Sequence, residues 1–177
     1  KETYFKNTIF VFVGDHGIRG NAGDLFPKAY TSKGLTCEHV PLLFYWPKML
    51  PAKRIHDVCS QVDILPSIAS IAKVPYYNNT FGRDLFDTLA LKTGNSISNE
   101  KFAFIIDHDV KTVGLVSAEY YFLKDTKTGK EEMVSVINNE EIKPAAETDS
   151  VKKYMSTLTD AWHETAKYLL LNNKKKN

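Results

Sequence analysis

The chain has 177 residues, of which 43% are hydrophobic and 25% are charged, as is typical of a globular protein with one core or one core and a small appendage. No apolar run approaches the ~20 residues that a membrane span requires, so we expect no membrane span in this chain. The formal net charge of +2 is too small to favour a nucleic-acid partner, and the one basic cluster, residues 174–176, lies at the end of the sequence.

The first seven residues carry neither an initiator methionine nor a signal-like segment, and an apolar run follows them. We therefore expect a fragment or a processed product. The run, residues 8–13, consists of β-branched and aromatic side chains without polar alternation. This pattern predicts a central strand that is buried on both faces of a sheet.

Two metal-ligand types, Asp15 and His16, follow this strand between Gly14 and Gly17. Adjacent side chains diverge on a strand, so both can reach one ion only if the backbone turns, and the two glycines permit such a turn. A carboxylate and an imidazole suit Mn²⁺ or Zn²⁺ better than Ca²⁺. From spacing alone, a metal site and a structural Asp-His turn are equally good interpretations.

Glycines and a proline interrupt residues 17–34, which predicts a loop that lines a site rather than a long helix. The polar candidates on this loop are Arg19, Asn21, Asp24, Lys28 and Lys33. A second apolar run, residues 39–46, predicts another buried strand with His39 at its beginning. His39 is a candidate further metal ligand or a donor to a substrate oxyanion, and equally an ordinary hydrogen-bonded histidine.

Apolar residues recur at helical spacing over residues 62–72, which predicts a helix with Asp63 as its N-cap and Pro66 in its first turn. Residues 76–87 are expected to be irregular, and Asn78 begins a glycosylation pattern that matches by spacing only. Residues 93–100 are rich in Gly, Asn and Ser, which predicts a joint between two parts of the chain.

Beyond the joint, the pattern predicts antiparallel hairpins and one long helix. Short strands are expected at residues 102–106, 113–116, 120–123 and 133–137, separated by polar turns. Apolar residues at intervals of three and four over residues 151–169 predict an amphipathic helix that covers one face of this sheet.

A second Asp-His pair, Asp107-His108, also follows an apolar run. No glycine flanks this pair and Asp109 adds a third polar residue, so we predict a polar turn and exclude it as a metal site. His56 and His163 carry no functional signal. Cys37 and Cys59 are too few for a disulfide framework, so we predict free buried thiols, although an oxidising compartment would allow them to pair.

Four blocks of the sequence, in order, resemble the C-terminal half of the sulfatase domain: residues 7–17, 39–47, 60–69 and 82–85. The resemblance is closest to the bacterial lipoteichoic-acid-synthase-like members of the alkaline phosphatase superfamily. It implies an α/β fold in which residues 1–95 form the C-terminal portion of a sulfatase-like α/β core. Residues 96–177 would then form a small antiparallel β-sheet subdomain with a long C-terminal helix.

By this resemblance, Asp15 and His16 match metal ligands, which favours the metal interpretation over the structural turn. His39 lies near the position where two-metal members place a further histidine, so it is a candidate for a second metal or for substrate. Three more residues match structural positions: Asp63, Pro66 and Arg83. The implied cofactor is a divalent metal, Mn²⁺ or Zn²⁺ first, with Mg²⁺ and Ca²⁺ as the alternatives.

The family's nucleophile and its other acidic ligands lie in an N-terminal half that these residues do not include, and neither cysteine has the sulfatase modification motif around it. We therefore expect an inactive fragment of a metal-dependent sulfatase or phosphotransferase that acts on sulfate or phosphate esters, including glycerophosphate or phospholipid headgroups. Synthase-type relatives imply an extracytoplasmic or periplasmic location with a membrane anchor in the missing half. The alternatives are a non-catalytic binding module that retains the fold and a phosphomonoesterase or phosphomutase of the same superfamily.

Overall fold

The chain divides into two compact units, Lys1–Asn99 and Glu100–Asn177, in a computed structural model that describes residues 2–87 and 101–172. The joint predicted at residues 93–100 lies outside the described residues. The predicted roles of the two halves, an enzyme core and a subdomain, stay predictions. The units contain antiparallel sheets and a long C-terminal helix, which confirms the predicted mixed α/β class.

The first unit combines a two-stranded sheet with short helices. Its elements are a 3₁₀ helix at Thr3–Asn7, strand β1 at Phe10–Val13, helices α1 at Lys28–Ser32 and α2 at Leu35–Glu38, strand β2 at Leu42–Tyr45, a 3₁₀ helix at Gln61–Asp63, and helix α3 at Ile64–Ala72. The two strands pair antiparallel. As predicted, residues 17–34 form no long helix, residues 62–72 are largely helical and residues 76–87 are irregular.

The prediction that β1 is buried on both faces is wrong. Phe12 is 57% exposed, and Leu43 and Tyr45 on the same face of β2 are 53% and 41% exposed. On the opposite face, the ring of Phe44 packs edge-on against that of Phe86, with the centroids 5.2 Å apart. A sheet of two strands has too few neighbours to bury both faces. Phe12, Leu43 and Tyr45 therefore form an open apolar face.

Asp63 directly precedes α3, at the predicted N-cap position, but its backbone angles are helical and its side chain makes no cap bond to α3. Ser60 is the N-cap of the 3₁₀ helix that leads into α3, and its backbone N–H donates to Asp63 Oδ2 at 2.9 Å. The side chain of Asp63 is therefore the acidic member of a capping box at the start of the 3₁₀ helix. The carboxylate is 3% exposed and also accepts the Arg83 backbone N–H at 2.9 Å, so both residues are structural.

The second unit is a four-stranded antiparallel sheet with one helix packed on it. The strands follow in chain order: β3 at Ala103–Asp107, β4 at Thr112–Val116, β5 at Tyr120–Asp125 and β6 at Glu131–Ser135. Helix α4, Ala146–Asn172, packs on one sheet face through a core of Phe102, Leu115, Phe122 and Met155. These elements confirm the predicted hairpins and covering helix. Among residues 2–87 and 101–172, no helix is long and apolar enough to cross a membrane.

Candidate metal site at the Asp15-His16 turn

The chain bends at Asp15, shortly after β1 ends, and two distant backbone carbonyls hold the bend. Gly14 donates its N–H to the carbonyl of Pro41 at 3.1 Å, ahead of β2. Gly17 donates its N–H to the carbonyl of Cys37 at 2.6 Å, in α2. The predicted turn is therefore present, and elements elsewhere in the first unit fix both of its ends.

Both glycines are required because the turn lies directly against neighbouring atoms. A Cβ atom on Gly14 would lie 2.9 Å from the Cβ atom of Val40, and a Cβ atom on Gly17 would lie 2.1 Å from the carbonyl oxygen of Thr36. Backbone oxygen cannot move out of the way as the end of a flexible side chain can. Glycine at these positions therefore permits close approach, as the sequence pattern indicates.

A third anchor comes from Gln61, at the start of the 3₁₀ helix before α3. Its side-chain amide nitrogen donates to the carbonyl of Gly14 at 2.7 Å and to the carbonyl of Asp15 at 2.9 Å. These two bonds satisfy the carbonyls inside the bend, because the amide carries two hydrogens. Gln61 was not predicted as a site residue, since its partners lie 46 and 47 positions away.

With the backbone satisfied in this way, the Asp15 and His16 side chains point outward. Their side chains are 89% and 72% exposed. His16 Nδ1 lies 2.9 Å from the carbonyl oxygen of Gly17, and a carbonyl only accepts, so Nδ1 carries the proton. In the neutral ring, Nε2 then presents a lone pair, 3.7 Å from Asp15 Oδ2. Metal-ligating histidines commonly make this kind of hydrogen bond through the nitrogen that does not bind the metal.

The same contacts shift the pKa values of both residues toward the charged forms. The backbone N–H of His16 donates to Asp15 Oδ1 at 2.9 Å, and this bond, followed by the nearby imidazole, lowers the pKa of Asp15. The bond to the Gly17 carbonyl, followed by the Asp15 carboxylate, raises the pKa of His16. Asp15 is therefore an anionic oxygen donor at neutral pH.

The two outward atoms have a spacing that suits one metal ion. Bonds of about 2.1 Å to an oxygen and a nitrogen at a tetrahedral angle separate the two ligand atoms by about 3.4 Å. The Oδ2 of Asp15 and the Nε2 of His16 lie 3.7 Å apart, which is close to this value. In the part of the chain that the structure describes, no group of three or more His, Cys, Asp or Glu residues could hold a metal. The turn thus brings together two candidate ligand atoms.

His39 does not begin a strand, although this was predicted. It follows α2, where its backbone N–H donates to the Leu35 carbonyl at 2.8 Å, and β2 begins three residues later. The rings of Phe26 and Tyr30 contact the imidazole edge-on, with centroids 5.4 and 5.5 Å away. The structure does not join His39 to Asp15 and His16 in a three-ligand cluster. Its role toward a second metal or substrate stays a prediction.

Two threonines that were not predicted as site residues hold the loop of residues 17–27 in place. Thr36 Oγ1 accepts the N–H of Gly20 at 3.2 Å, and Thr31 Oγ1 accepts the N–H of Ala22 at 2.9 Å. Of the polar candidates on this loop, Asn21 uses its side-chain oxygen to accept the Gly23 N–H at 2.8 Å. Asn21 therefore stabilises the loop itself.

The cysteines are free thiols, and the second Asp-His pair forms a turn. Cys37 and Cys59 are free, as predicted, but both are partly exposed rather than buried. Burial of part of Cys59 raises the pKa of its thiol. Asp107 Oδ1 accepts the N–H groups of Asp109 at 3.0 Å and Val110 at 3.2 Å, which confirms the predicted polar turn.

Comparison with known proteins shows which family this site resembles. Residues 1–74 match the family model described as Sulfatase. The chain is 32% identical over 92 residues to arylsulfatase K of Gallus gallus, covering 52% of this chain and 17% of that protein. The corresponding match to arylsulfatase K of Xenopus laevis is 32% over 91 residues, covering 51% and 17%. Arylsulfatase A of Homo sapiens is 29% identical over 105 residues, covering 56% and 21%.

A solved structure shows the same fold. The protein BT4656, in complex with its substrate D-glucosamine-2-N,6-O-disulfate, superposes with a TM-score of 0.55 and 19% identity, over 97% of this chain and 37% of that chain. The chain thus spans about a fifth of the arylsulfatases that it matches and about a third of this structure. The predicted closeness to bacterial lipoteichoic-acid synthases is not confirmed, since these sequence relatives are vertebrate arylsulfatases.

Proposed function

We propose that this chain is part of a metal-dependent sulfatase that hydrolyses sulfate esters, with Asp15 and His16 as two of its metal ligands. The observation that carries the proposal is the Asp15-His16 turn, where a carboxylate oxygen and an imidazole nitrogen face outward 3.7 Å apart. This turn lies within residues 1–74, which match the sulfatase family. The names of the arylsulfatase relatives favour sulfate over phosphate esters as substrates.

The remaining parts of the active site would come from elsewhere in a longer enzyme. Two ligands do not complete a metal site, and the described residues offer no third. The chain also spans only 17–21% of the arylsulfatases it matches. The open apolar face of Phe12, Leu43 and Tyr45 supports this view, because exposed apolar patches mark surfaces that contact other protein elements. The nucleophile and further acidic ligands would belong to that other part.

Within this arrangement, the residues of the turn have distinct chemical tasks. A divalent ion, Mn²⁺ or Zn²⁺ by donor type, would be held by the anionic oxygen of Asp15 and the Nε2 lone pair of His16. It would supply positive charge that lowers the pKa of a nucleophile and stabilises oxyanion charge. In the neutral ring, the carbonyl of Gly17 keeps the proton on Nδ1, so the lone pair of that form lies on Nε2. The exposure of both side chains leaves the site accessible to substrate.

Three finer expectations remain predictions from the resemblance: phosphotransfer to or from lipid headgroups, an extracytoplasmic location and a membrane anchor. No contact of the described residues favours phosphotransfer over sulfate ester hydrolysis. The names of the relatives instead favour hydrolysis of sulfate esters.

Metal analysis with matched variants tests the ligand assignment. We expect Asp15→Ala and His16→Ala to abolish stoichiometric Mn²⁺ or Zn²⁺ in the full-length protein after dialysis, measured by inductively coupled plasma mass spectrometry. The second Asp-His pair provides the matched controls, Asp107→Ala and His108→Ala, which should retain the metal. Equal metal content in all four variants would refute the assignment.

The reaction class is tested by a parallel assay of the full-length protein. We expect hydrolysis of an aryl sulfate, and slower or no hydrolysis of the matching phosphate monoester and diester. Faster hydrolysis of a phosphate ester would overturn the sulfatase assignment in favour of a phosphatase or phosphotransferase. Absence of hydrolysis with all three esters, with metal bound, would favour a non-catalytic binding module.

A further inference from the structure

We infer that Gln61 is a positioning residue that sets the direction of the metal-ligating side chains at the Asp15-His16 turn. The inference rests on the proposed metal site. Gln61 lies on a different element from the turn, and its side-chain amide nitrogen donates two hydrogen bonds to the turn, to the carbonyls of Gly14 and Asp15. Its amide therefore acts on the ligands through the backbone.

The positions of the two accepting carbonyls allow Gln61 to restrain the backbone of Asp15. The carbonyl of Gly14 belongs to the peptide plane before Asp15, and the carbonyl of Asp15 belongs to the plane after it. Peptide planes are rigid, so the only free rotations between these two planes are the φ and ψ angles of Asp15. One amide group bound to both carbonyls at 2.7 and 2.9 Å therefore restrains both angles and the direction of the Asp15 side chain.

The amide itself is held by a well-fixed element. Gln61 follows Ser60, whose backbone N–H is bound by the buried carboxylate of Asp63 in the capping box. That carboxylate also binds the backbone N–H of Arg83, and the Arg83 side chain donates to the Val58 carbonyl. The start of α3 thus offers a rigid base from which Gln61 reaches the turn.

The electrostatics of the contact also favour a neutral amide donor. Two carbonyl oxygens that converge on one point repel each other, and the two hydrogens of the amide relieve that repulsion. A side chain of the same length without donors would leave the two oxygens unpaired. A carboxylate at the same place would repel them.

The test compares Gln61→Met, which removes the donors, and Gln61→Glu, which replaces them with acceptors. Val62→Met is the matched control, because it places the same new side chain one position away, at a residue that is 45% exposed. Gln61 is exposed and outside the hydrophobic core, so these variants should fold. Nuclear magnetic resonance of the ¹⁵N-labelled full-length protein gives two readouts. The first is the order of the backbone amides of residues 14–17 without metal, and the second is the broadening of their signals by Mn²⁺.

We expect lower heteronuclear NOE values at residues 14–17 in Gln61→Met, and lower values still in Gln61→Glu. The Mn²⁺ concentration that broadens these signals should rise about 10-fold, as when a group that supports a metal ligand is removed. Val62→Met should match the parent chain in both readouts. Unchanged order, or reduced order with an unchanged Mn²⁺ requirement, would overturn the positioning role.

The same spectra separate this inference from the proposed function. If Asp15→Ala and His16→Ala abolish the broadening but the Gln61 variants do not affect it, the metal site stands and the role of Gln61 is refuted. If the broadening persists in Asp15→Ala and in His16→Ala, the metal site is refuted. The positioning role of Gln61 is then refuted too, because Asp15 and His16 bind no ion.

Discussion

The two Asp-His pairs of this chain follow apolar strands in the same way but use their carboxylates differently. In the first unit, the bend at Asp15 is held from outside, through the carbonyls of Pro41 and Cys37 and the amide of Gln61. In the second unit, Asp107 holds its own turn by accepting two backbone N–H groups. In the first pair, Asp15 Oδ1 accepts one backbone N–H of its own turn, that of His16, and the side chains of both residues stay largely exposed. In the second pair, Asp107 Oδ1 binds two backbone N–H groups and holds its turn.

The difference shows that the hydrogen-bond partners of the surrounding backbone decide whether the side chains of an Asp-His pair are available to bind a ligand. A turn that must bind its own N–H groups draws on its nearest carboxylate, as an Asx turn does. A turn whose backbone is bound by other elements leaves its side chains available for a ligand. Gly14 and Gly17 matter because they allow residues 40–41 and α2 to approach closely enough for the carbonyls of Pro41 and Cys37 to accept those bonds.

The largest effect is expected from Gly17→Ala, which would separate the first turn from α2. The added Cβ would lie 2.1 Å from the Thr36 carbonyl oxygen, and we expect a loss of about 3 kcal/mol in the free energy of unfolding of the first unit. Urea unfolding followed by Trp46 fluorescence, in a Trp162→Phe background, measures this. Gly20→Ala is the control, since its nearest atom would be 3.8 Å away, and it should be close to neutral.

The next prediction distinguishes function from stability at the first turn. Asp15→Asn keeps the oxygen that accepts the His16 N–H but removes the anionic donor. We expect Mn²⁺ affinity to fall at least ~10-fold, because even residues behind a ligand contribute this much. The side chain is exposed, so the free energy of unfolding should change by less than about 0.5 kcal/mol. Unaltered Mn²⁺ affinity of the full-length protein in titration calorimetry would contradict the contrast between the turns.

The converse result is expected at the second turn. Asp107→Ala removes the acceptor for two backbone N–H groups and should lower the stability of the second unit by about 1 kcal/mol. Asp107→Asn retains an oxygen acceptor and should be nearly neutral. Trp162 fluorescence during urea unfolding, in a Trp46→Phe background, measures both. Loss of Mn²⁺ binding in either variant would show that the second pair is also a ligand.

The smallest effect concerns Asp125, whose carboxylate serves its own hairpin turn as that of Asp107 does. The backbone N–H groups of Thr128 and Lys127 hold the pKa of Asp125 below its ordinary value. The folded pKa is therefore lower than the unfolded one, so this stabilisation is present above about pH 4 and is lost as the pH falls through the folded value. Asp125→Asn should show a shallower fall in melting temperature between pH 5 and about pH 2 than the parent chain. An identical fall would contradict the assigned bonds.

Local patterns predicted the elements whose signals lie within a few residues. The four strands of the second unit, helix α4 and the bend between Gly14 and Gly17 follow from alternation, helical spacing and glycine placement. Gln61 was not predicted as a site residue because its contacts with residues 14 and 15 leave no pattern in the sequence around it. Asp63 precedes α3 as predicted, but the bond of its side chain to Ser60 was not predicted, although the Ser60-x-x-Asp63 spacing is that of a capping box. The burial of β1 was wrong because burial depends on neighbours that a strand's own sequence does not specify.

The open apolar face of Phe12, Leu43 and Tyr45 has a consequence for the behaviour of this chain in solution. Three large side chains on one sheet face favour association between copies. Within residues 2–87 and 101–172, the outer edges of this two-stranded sheet also have no strand partner. Such association strengthens with sulfate or phosphate salts and weakens on cooling or in dilute urea. We therefore expect the chain to precipitate early in a salting-out series and to be best kept cold at low concentration. Phe12→Ser together with Leu43→Thr should raise the salt concentration at which it precipitates.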